Sequence, residues 1–590
     1  MMETTAPDRN PIQVLASLGQ TQMISLGSEL EYQAATRPDH PILIFEERVI
    51  TYREFNALAN RYANHFAALG LQKGDVVALL MENRPEFLIA ASGLSKLGVI
   101  VSLVNNGVRK EVLAHALNIC DAKMLIIGYE LLDAFMEIKD KVHLQDPGFI
   151  FAETEGNQLE LPAGITDLKV LAGASDANPP STGQVSTDDV IVYIYTSGTT
   201  GFPKACAVTQ KRWIALGNQY TLFGELTPEK AQYMVLPLYH NSGFDIGFSS
   251  TVVSGGTMVL RRKFSASKFW EDVRKYNVNL FIYVGELCRY IYNQPERADD
   301  ADNPLYMISG NGMRGDLMEP FRKRFDIKII KEVYGATEGV GSFLNLNEIP
   351  GMCGSLDMLG RRQGEIIKYD LDKDEIVRDN NGYAIKCEIG ETGLLICEIN
   401  AMNVFAGYVN NPQATEEKIM HNVLREGDCY FDSGDLVCLA EDDYFSFVDR
   451  LGDTFRWKSE NVSTNQVSNV VNKFGQMEDV NVYGVQIPGL EGRCGMAAIK
   501  LMDGEVIDWS KLGAFVCEKL PSYARPYFIR LRDTIDATNS FKQLKKQLQT
   551  EGFDPAAIKD PLYFLDPEKN IYVELTPQLY EDIVNHKLKF

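Results

Sequence analysis

An α/β fold is predicted for this sequence: a large, multi-subdomain N-terminal domain of helix-covered sheets, then a small mobile C-terminal α/β (α+β) domain. Three observations predict it. Helical stripes alternate with strand-like runs along most of the chain. At 590 residues the chain is too long for one ordinary hydrophobic core. A charged, turn-rich stretch, Asp449-Arg-Leu-Gly-Asp453, separates two parts of unequal size.

Taken in order, Thr51-Tyr-Arg-Glu54 has capping-box spacing, and Phe55, Leu58, Ala59, Tyr62 and Phe66 follow at helical intervals. Gly70 stands where that helix should stop, and Val76 to Leu80 is a predicted strand. Phe87 to Val104 is the most apolar run, but Ser92, Gly93, Lys96 and Gly98 interrupt it. A buried helix followed by a strand is expected there rather than a membrane span. Phe269, Val273 and Tyr276 mark a further helix, followed by the strand-like Leu280 to Val284. In the smaller part, strands are expected at Val480 to Val485 and near Met496 to Leu501, around the glycine-rich turn Gly489 to Gly495. The domain boundary is drawn at 450/451, giving an N-terminal domain of 1–450 and a C-terminal domain of 451–590.

Composition narrows the function. The 58 Lys and Arg face 80 Asp and Glu, a formal charge of −22, which disfavours nucleic acid as a partner. A local nest of backbone N–H groups can still hold phosphates. The ten cysteines show no zinc-ligand or disulfide spacing, and the N-terminal stretch shows no basic region followed by an apolar block. Together these predict a cytoplasmic protein with reduced thiols and no transmembrane helix.

The most informative segment is Ile191-Val-Tyr-Ile-Tyr-Thr-Ser-Gly-Thr-Thr-Gly-Phe-Pro-Lys204. A β-rich run empties into a loop with Gly198 and Gly201, the hydroxyls of Thr196, Ser197, Thr199 and Thr200, and the charge of Lys204. Glycines allow close backbone approach, and hydroxyls and a terminal ammonium suit the β- and γ-phosphates of a nucleotide. The string does not have the spacing of an ordinary P-loop. As a whole it closely resembles the signature loop of the adenylate-forming superfamily of acyl-CoA synthetases, luciferases and peptide-synthetase adenylation domains.

That resemblance implies roles for further segments, which occur in the required order. Leu236-Pro-Leu-Tyr-His-Asn-Ser-Gly243 resembles the aromatic–His motif, so His240 would line the acyl and pyrophosphate side. Tyr334-Gly-Ala-Thr-Glu-Gly339 resembles the adenine and metal motif. Tyr334, Gly335 and Ala336 would flank the base, Thr337 would reach the α-phosphate, and Glu338, with Thr199, would hold Mg²⁺. Gly310, Asn311 and Gly312 would line the other side of adenine. Asp435 and Arg450 would hold the ribose, Lys542 would be the adenylation lysine, and Gly452 the hinge of a mobile C-terminal domain. Lys458 and Ser459 would lie on the coenzyme A side.

Finer strings, including Arg262 to Trp270, Gly285 to Tyr290, Gly310 to Arg314, Gly452 to Lys458 and Ile558 to Phe564, resemble the fatty acid transport protein/very-long-chain acyl-CoA synthetase family. The resemblance runs from about Thr51 to the end. It implies an AMP-forming acid–thiol ligase using ATP, Mg²⁺ and coenzyme A on a long-chain or very-long-chain fatty acid. Two positions depart from the family pattern. Ser459 replaces a glycine beside the pantetheine path, and Thr538-Asn-Ser-Phe-Lys542 replaces Thr-Gly-Thr-Phe-Lys. A bile-acid-type carboxylate, a non-CoA acceptor, and a non-catalytic fatty-acid-binding or uptake protein are the alternatives. Peripheral membrane contact and oligomeric state are left open by the sequence.

Overall fold

The computed structural model describes residues 9–157, 160–196, 202–357, 360–371, 373–400, 403–458, 460–490, 492–535 and 543–588. The chain forms two compact units. The first comprises residues 1–363, 398–421 and 429–431, and the second 364–397, 422–428 and 432–590. Residues 364–397, 422–428 and 432–450 therefore pack with the second unit, although they precede the 450/451 boundary drawn from the turn-rich stretch. The turn-rich stretch and the packing of the chain thus draw the boundary between the two parts at different places.

The first unit holds two large sheets. The seven-stranded one is parallel except at one edge, where Val190–Thr196 pairs antiparallel with Lys204–Thr209. The eight-stranded one has a parallel interior that includes Ala231–Met234, Val278–Val284, Met307–Asn311 and Ile329–Gly335, with antiparallel strands at both edges. Parallel strands need crossover connections, and helices supply them. This is the alternation that the sequence displays.

Local signals explain the elements. Thr51 and Glu54 form the reciprocal capping box of the helix Tyr52–Ala68, with Phe55, Ala59, Tyr62 and Phe66 buried. Gly70, at φ +92°, ends it, and Leu71 N donates back to Phe66 O at 3.1 Å, as in a Schellman cap. Val76–Leu80 is the next strand. The apolar run is the buried helix Pro85–Ser95 followed by the strand Ile100–Leu103. Lys96 is buried because its ammonium donates to Glu31 Oε1 at 2.9 Å and Asn56 Oδ1 at 2.7 Å. Phe269 and Val273 are buried on the helix Ala266–Lys275, whereas Tyr276 is its C-cap. Among the described residues, no helix is long and apolar enough to cross a membrane.

The second unit contains a five-stranded sheet of Met477–Val485, Cys494–Leu501, Phe528–Leu531, Leu562–Asp566 and Ile571–Glu574. Only the Cys494–Leu501/Phe528–Leu531 pair in it is parallel. Val480, Val482, Ile499, Phe528 and Phe564 form part of its core.

Candidate active site

In the first unit, Thr196 lies opposite Lys204 across the antiparallel pair, so the two flanks of the expected phosphate loop are held side by side. Ser197, Gly198, Thr199, Thr200 and Gly201 lie outside the described residues. The far side of the loop is anchored. Phe202 stacks on His115 with ring centres 4.6 Å apart, and His115 Nε2 is 3.2 Å from Pro203 O.

Tyr408 links Lys204 to Glu338. Its hydroxyl donates to Glu338 Oε1 at 2.7 Å, and Lys204 Nζ lies 4.9 Å from the centre of its ring. Cys206 forms an isolated bridge with Tyr408, and burial, with Glu338 adding to it, pushes its thiol pKa up. The thiol therefore stays protonated and inert there. Among the described residues, no group of three or more His, Cys, Asp or Glu side chains could hold a metal by itself. A single half-buried carboxylate fits Mg²⁺, which takes one or two protein carboxylates and most of its ligands from phosphates and water.

His240 is half-buried but densely surrounded, and desolvation pushes its imidazole down to about 4. It is neutral near pH 7. Its neighbour Asn241 accepts from Arg212 Nη2 at 2.8 Å, and Arg212 Nη1 donates to Thr337 O at 2.7 Å. The His240 and Thr337 motifs are thus brought together by a residue that neither contains.

On the eight-stranded sheet, Gly310-Asn311-Gly312 leaves the carboxyl end of Met307–Asn311, beside the strand that carries Tyr334. Loops at carboxyl ends of parallel strands are where such sheets bind ligands. The segment is tied down from below. Glu332, buried, accepts from Gly312 N at 2.9 Å and Met313 N at 3.1 Å, and Tyr283 Oη also donates to it. Burial pushes its carboxyl up to about 7 despite these bonds. Gly312 has φ +78°, and a Cβ on Gly285 would lie 1.8 Å from Gly312 O, so both positions require glycine. Gly335 and Ala336 follow Tyr334 into the turn closed by Gly339 N donating to Ala336 O at 3.0 Å.

In the second unit, Asp435 and Arg450 are cross-strand partners, with Arg450 Nε 3.6 Å from Asp435 Oδ1. Gly452 follows in an exposed turn. Lys545 Nζ donates to Thr464 Oγ1 at 2.6 Å and lies 3.3 Å from Asp453 Oδ2. Asp449, buried, accepts from Thr464 N at 2.6 Å. Lys458 has φ +53°, and its ammonium is 3.5 Å from Tyr527 Oη. Ser459 and Lys542 lie outside the described residues.

Sequence reasoning missed Tyr408, Arg212, Glu332 and Lys545. Tyr408, Arg212 and Glu332 stand in no segment whose composition announces a ligand, and Lys545 lies at the end of the string read for Lys542. The nearest available signals were the Gly407-Tyr408 pair and the position of Arg212 just after the phosphate-loop hairpin.

Residues 30–367 match the model of the AMP-binding enzyme family. The chain is 40% identical to long-chain fatty acid transport protein 2 of Rattus norvegicus, over 94% of this chain and 90% of that one. It is 38% identical to a medium/long-chain-fatty-acid–CoA ligase of Mycobacterium tuberculosis, over 95% and 91%. Among solved structures, the anthranilate CoA ligase AuaEII in complex with anthranoyl-AMP superposes with a TM-score of 0.75 at 19% identity, covering 91% of this chain and 98% of that one. The o-succinylbenzoate CoA synthetase of Bacillus subtilis, in complex with ATP and magnesium ion, gives 0.70 at 22%, covering 90% and 100%. These two likenesses show the fold.

Proposed function

This chain belongs to the AMP-binding enzyme family, and from that premise we propose that it is an ATP-dependent long-chain or very-long-chain fatty acid–CoA ligase. It works through an acyl adenylate and releases AMP and pyrophosphate. The observation that carries the reading is the convergence of Lys204 and Glu338 on Tyr408, which gathers a phosphate-seeking ammonium and a cation-seeking carboxylate. The relatives named for fatty acid transport and fatty acid–CoA ligation support the class of acid.

A carboxylate resists a thiol because its charge quenches the carbonyl. Joining it to AMP replaces that charge with a leaving group. The acid's oxygen attacks the α-phosphorus in line and pyrophosphate departs, a step governed by positioning and charge stabilisation. Tyr334 with Gly310, Asn311 and Gly312 would hold adenine, and Asp435 with Arg450 the ribose hydroxyls. Lys204 and the loop hydroxyls would take the β- and γ-phosphates. Glu338, with Thr199, would hold Mg²⁺, which when bound neutralises the charge of the leaving phosphates. Thr337 would orient the α-phosphate, and neutral His240 would line the acyl side without acting as a base. Lys542 would stabilise charge between the acyl oxygen and the α-phosphate. The CoA thiol then attacks the acyl carbonyl and AMP leaves, and the roles expected of Lys458 and Ser459 are on the CoA side. A water-poor substrate would be met by peripheral contact with a membrane from the cytoplasm.

The test is carboxylate-dependent exchange of labelled pyrophosphate into ATP over acids from C4 to C24 and a bile acid, with Lys542→Ala as control. AMP release on adding CoA is measured next. Exchange peaking with long acids, lost in the variant, and CoA-dependent AMP release are expected. A peak with the bile acid would move the substrate class. Absence of exchange with every acid would move the protein to a binding role.

A further inference from the structure

One guanidinium bridges two segments of the proposed site. Arg212 stands in the first turn of the helix Gln210–Phe223, which begins directly where the strand Lys204–Thr209 ends. Thr209 caps this helix by accepting from Arg212 N, so the side chain leaves from a fixed helix start. Its Nη1 donates to Thr337 O at 2.7 Å, next to Glu338, and its Nη2 donates to Asn241 Oδ1 at 2.8 Å, next to His240.

The rest of the environment is shaped around that group. Asp245 is fully buried, and neither of its carboxylate oxygens takes a hydrogen bond. Its Oδ2 lies 3.4 Å from Arg212 Nη2, which makes it a counter-charge without a directional bond. It sits on the π-helix Ser242–Phe248, a form that occurs mostly as short insertions and often at functional sites. On the other side, a Cβ on Gly339 would lie 2.5 Å from Arg212 Nη1, and Gly339 has φ +80°. The turn after Glu338 is therefore fitted to the guanidinium.

We infer that Arg212 is a positioning residue for adenylate formation: it fixes the Thr337–Glu338 backbone at a set distance from the His240–Asn241 segment, with Asp245 as its buried counter-ion. The inference rests on the adenylation reading above. Two reacting groups must meet in line, and a misplacement of about 1 Å can cost on the order of 10²-fold in rate. A planar fork can bridge two acceptors in fixed directions, whereas an ammonium is a point charge on a flexible stem. A structural ion pair with Asp245 would survive exchange of Arg for Lys. The bridge would not.

The experiment compares wild type, Arg212→Lys, Arg212→Ala and the half-buried neighbour Lys211→Ala in pyrophosphate exchange, with melting temperature measured for each. Arg212→Lys is expected to keep the wild-type melting temperature within a few degrees and to lose roughly 10- to 100-fold in kcat for exchange. KM for the acid and for ATP should change far less, and Lys211→Ala should behave as wild type. Added guanidinium should restore part of the activity of Arg212→Ala, because the group rather than its charge is missing. Exchange by Arg212→Lys within about twofold of wild type, or a loss that only tracks unfolding, would overturn the role. A wild-type protein without exchange would overturn adenylation itself and this role with it, so the two failures are distinguishable.

Discussion

Tyr408 donates its hydroxyl to Glu338 at 2.7 Å, so the carboxylate proposed to hold the cation already carries a hydrogen-bond donor. A hydrogen bond to a charged group contributes about 1.5–3 kcal/mol, and part of it must be given up when Glu338 turns to a cation. Tyr408→Phe keeps the ring beneath Lys204 and removes only the competitor. The Mg²⁺ concentration for half-maximal pyrophosphate exchange is expected to fall about threefold or more, read from a Mg²⁺ titration at fixed ATP. A rise would mean that the hydroxyl aims the carboxylate instead of competing for it.

His240 carries a stability prediction with a definite sign. Its folded value of about 4 lies below its ordinary 6.5, so the unfolded chain takes up the proton first as pH falls. Its stabilising contribution is present above about pH 6.5 and lost progressively towards pH 4, by at most about 3 kcal/mol. Asp245 opposes it, since burial raises its carboxyl to about 6 and the folded state gains as that group protonates. The difference in urea-unfolding free energy between wild type and His240→Gln isolates the histidine. It should change between pH 6.5 and 4 and be flat above pH 7. In the same experiment, pyrophosphate exchange by wild type should show no limb from this imidazole between pH 6 and 8.

The sequence carried the fold and the proposed site unequally. The capping box at Thr51 and Glu54, the stop at Gly70 and the strand at Val76 depend on neighbours in the chain, so they were legible. The strings around Lys204, His240, Tyr334 and Glu338 were legible because each concentrates unusual residues in a short space. Tyr408, Arg212 and Glu332 were not, because each acts through contacts far away in sequence. Arg212 meets Thr337 across 125 positions, and Tyr408 meets Glu338 across 70. Register and long-range packing create such sites, and no local period reports them. The packing boundary was obscured for the same reason. Residues 364–397 are tied to later chain through Thr392–Glu398, which neighbours Cys429–Leu439 in its sheet.

Glu332 supports the backbone proposed to line adenine, through Gly312 N and Met313 N. Glu332→Gln leaves one acceptor where two oxygens served three donors, so the loop should loosen. A several-fold rise in KM for ATP is expected, with little change in KM for the acid. Because the folded carboxyl titrates near 7 rather than 4.5, its contribution to stability is present below about pH 4.5 and lost as pH rises through 7. That slope should be absent from the variant's unfolding free energies, which separates an effect on the carboxylate from a general loss of packing.

Gly452 gives the sharpest test of a mobile C-terminal domain. Leu451 N donates to Gly434 O at 3.0 Å and Asp453 N to Arg450 O at 3.1 Å, so the turn has its own supports on either side of the glycine. Proline at 452 would fix φ near −65° and restrict Leu451 to extended conformations, at the cost of the Arg450–Asp453 turn bond, although neither donor N–H is removed. Lys545, three residues beyond Lys542 in sequence, lies 3.3 Å from Asp453, the residue after the proposed hinge, within the second unit. A hinge absorbs large φ/ψ changes between two working states, and a locked φ removes one of them. In Gly452→Pro, pyrophosphate exchange is expected to stay within about threefold of wild type, while CoA-dependent AMP release from preformed adenylate falls tenfold or more. Equal loss of both half-reactions would sink the hinge. A loss confined to exchange would mean that the locked state is the thioester-forming one.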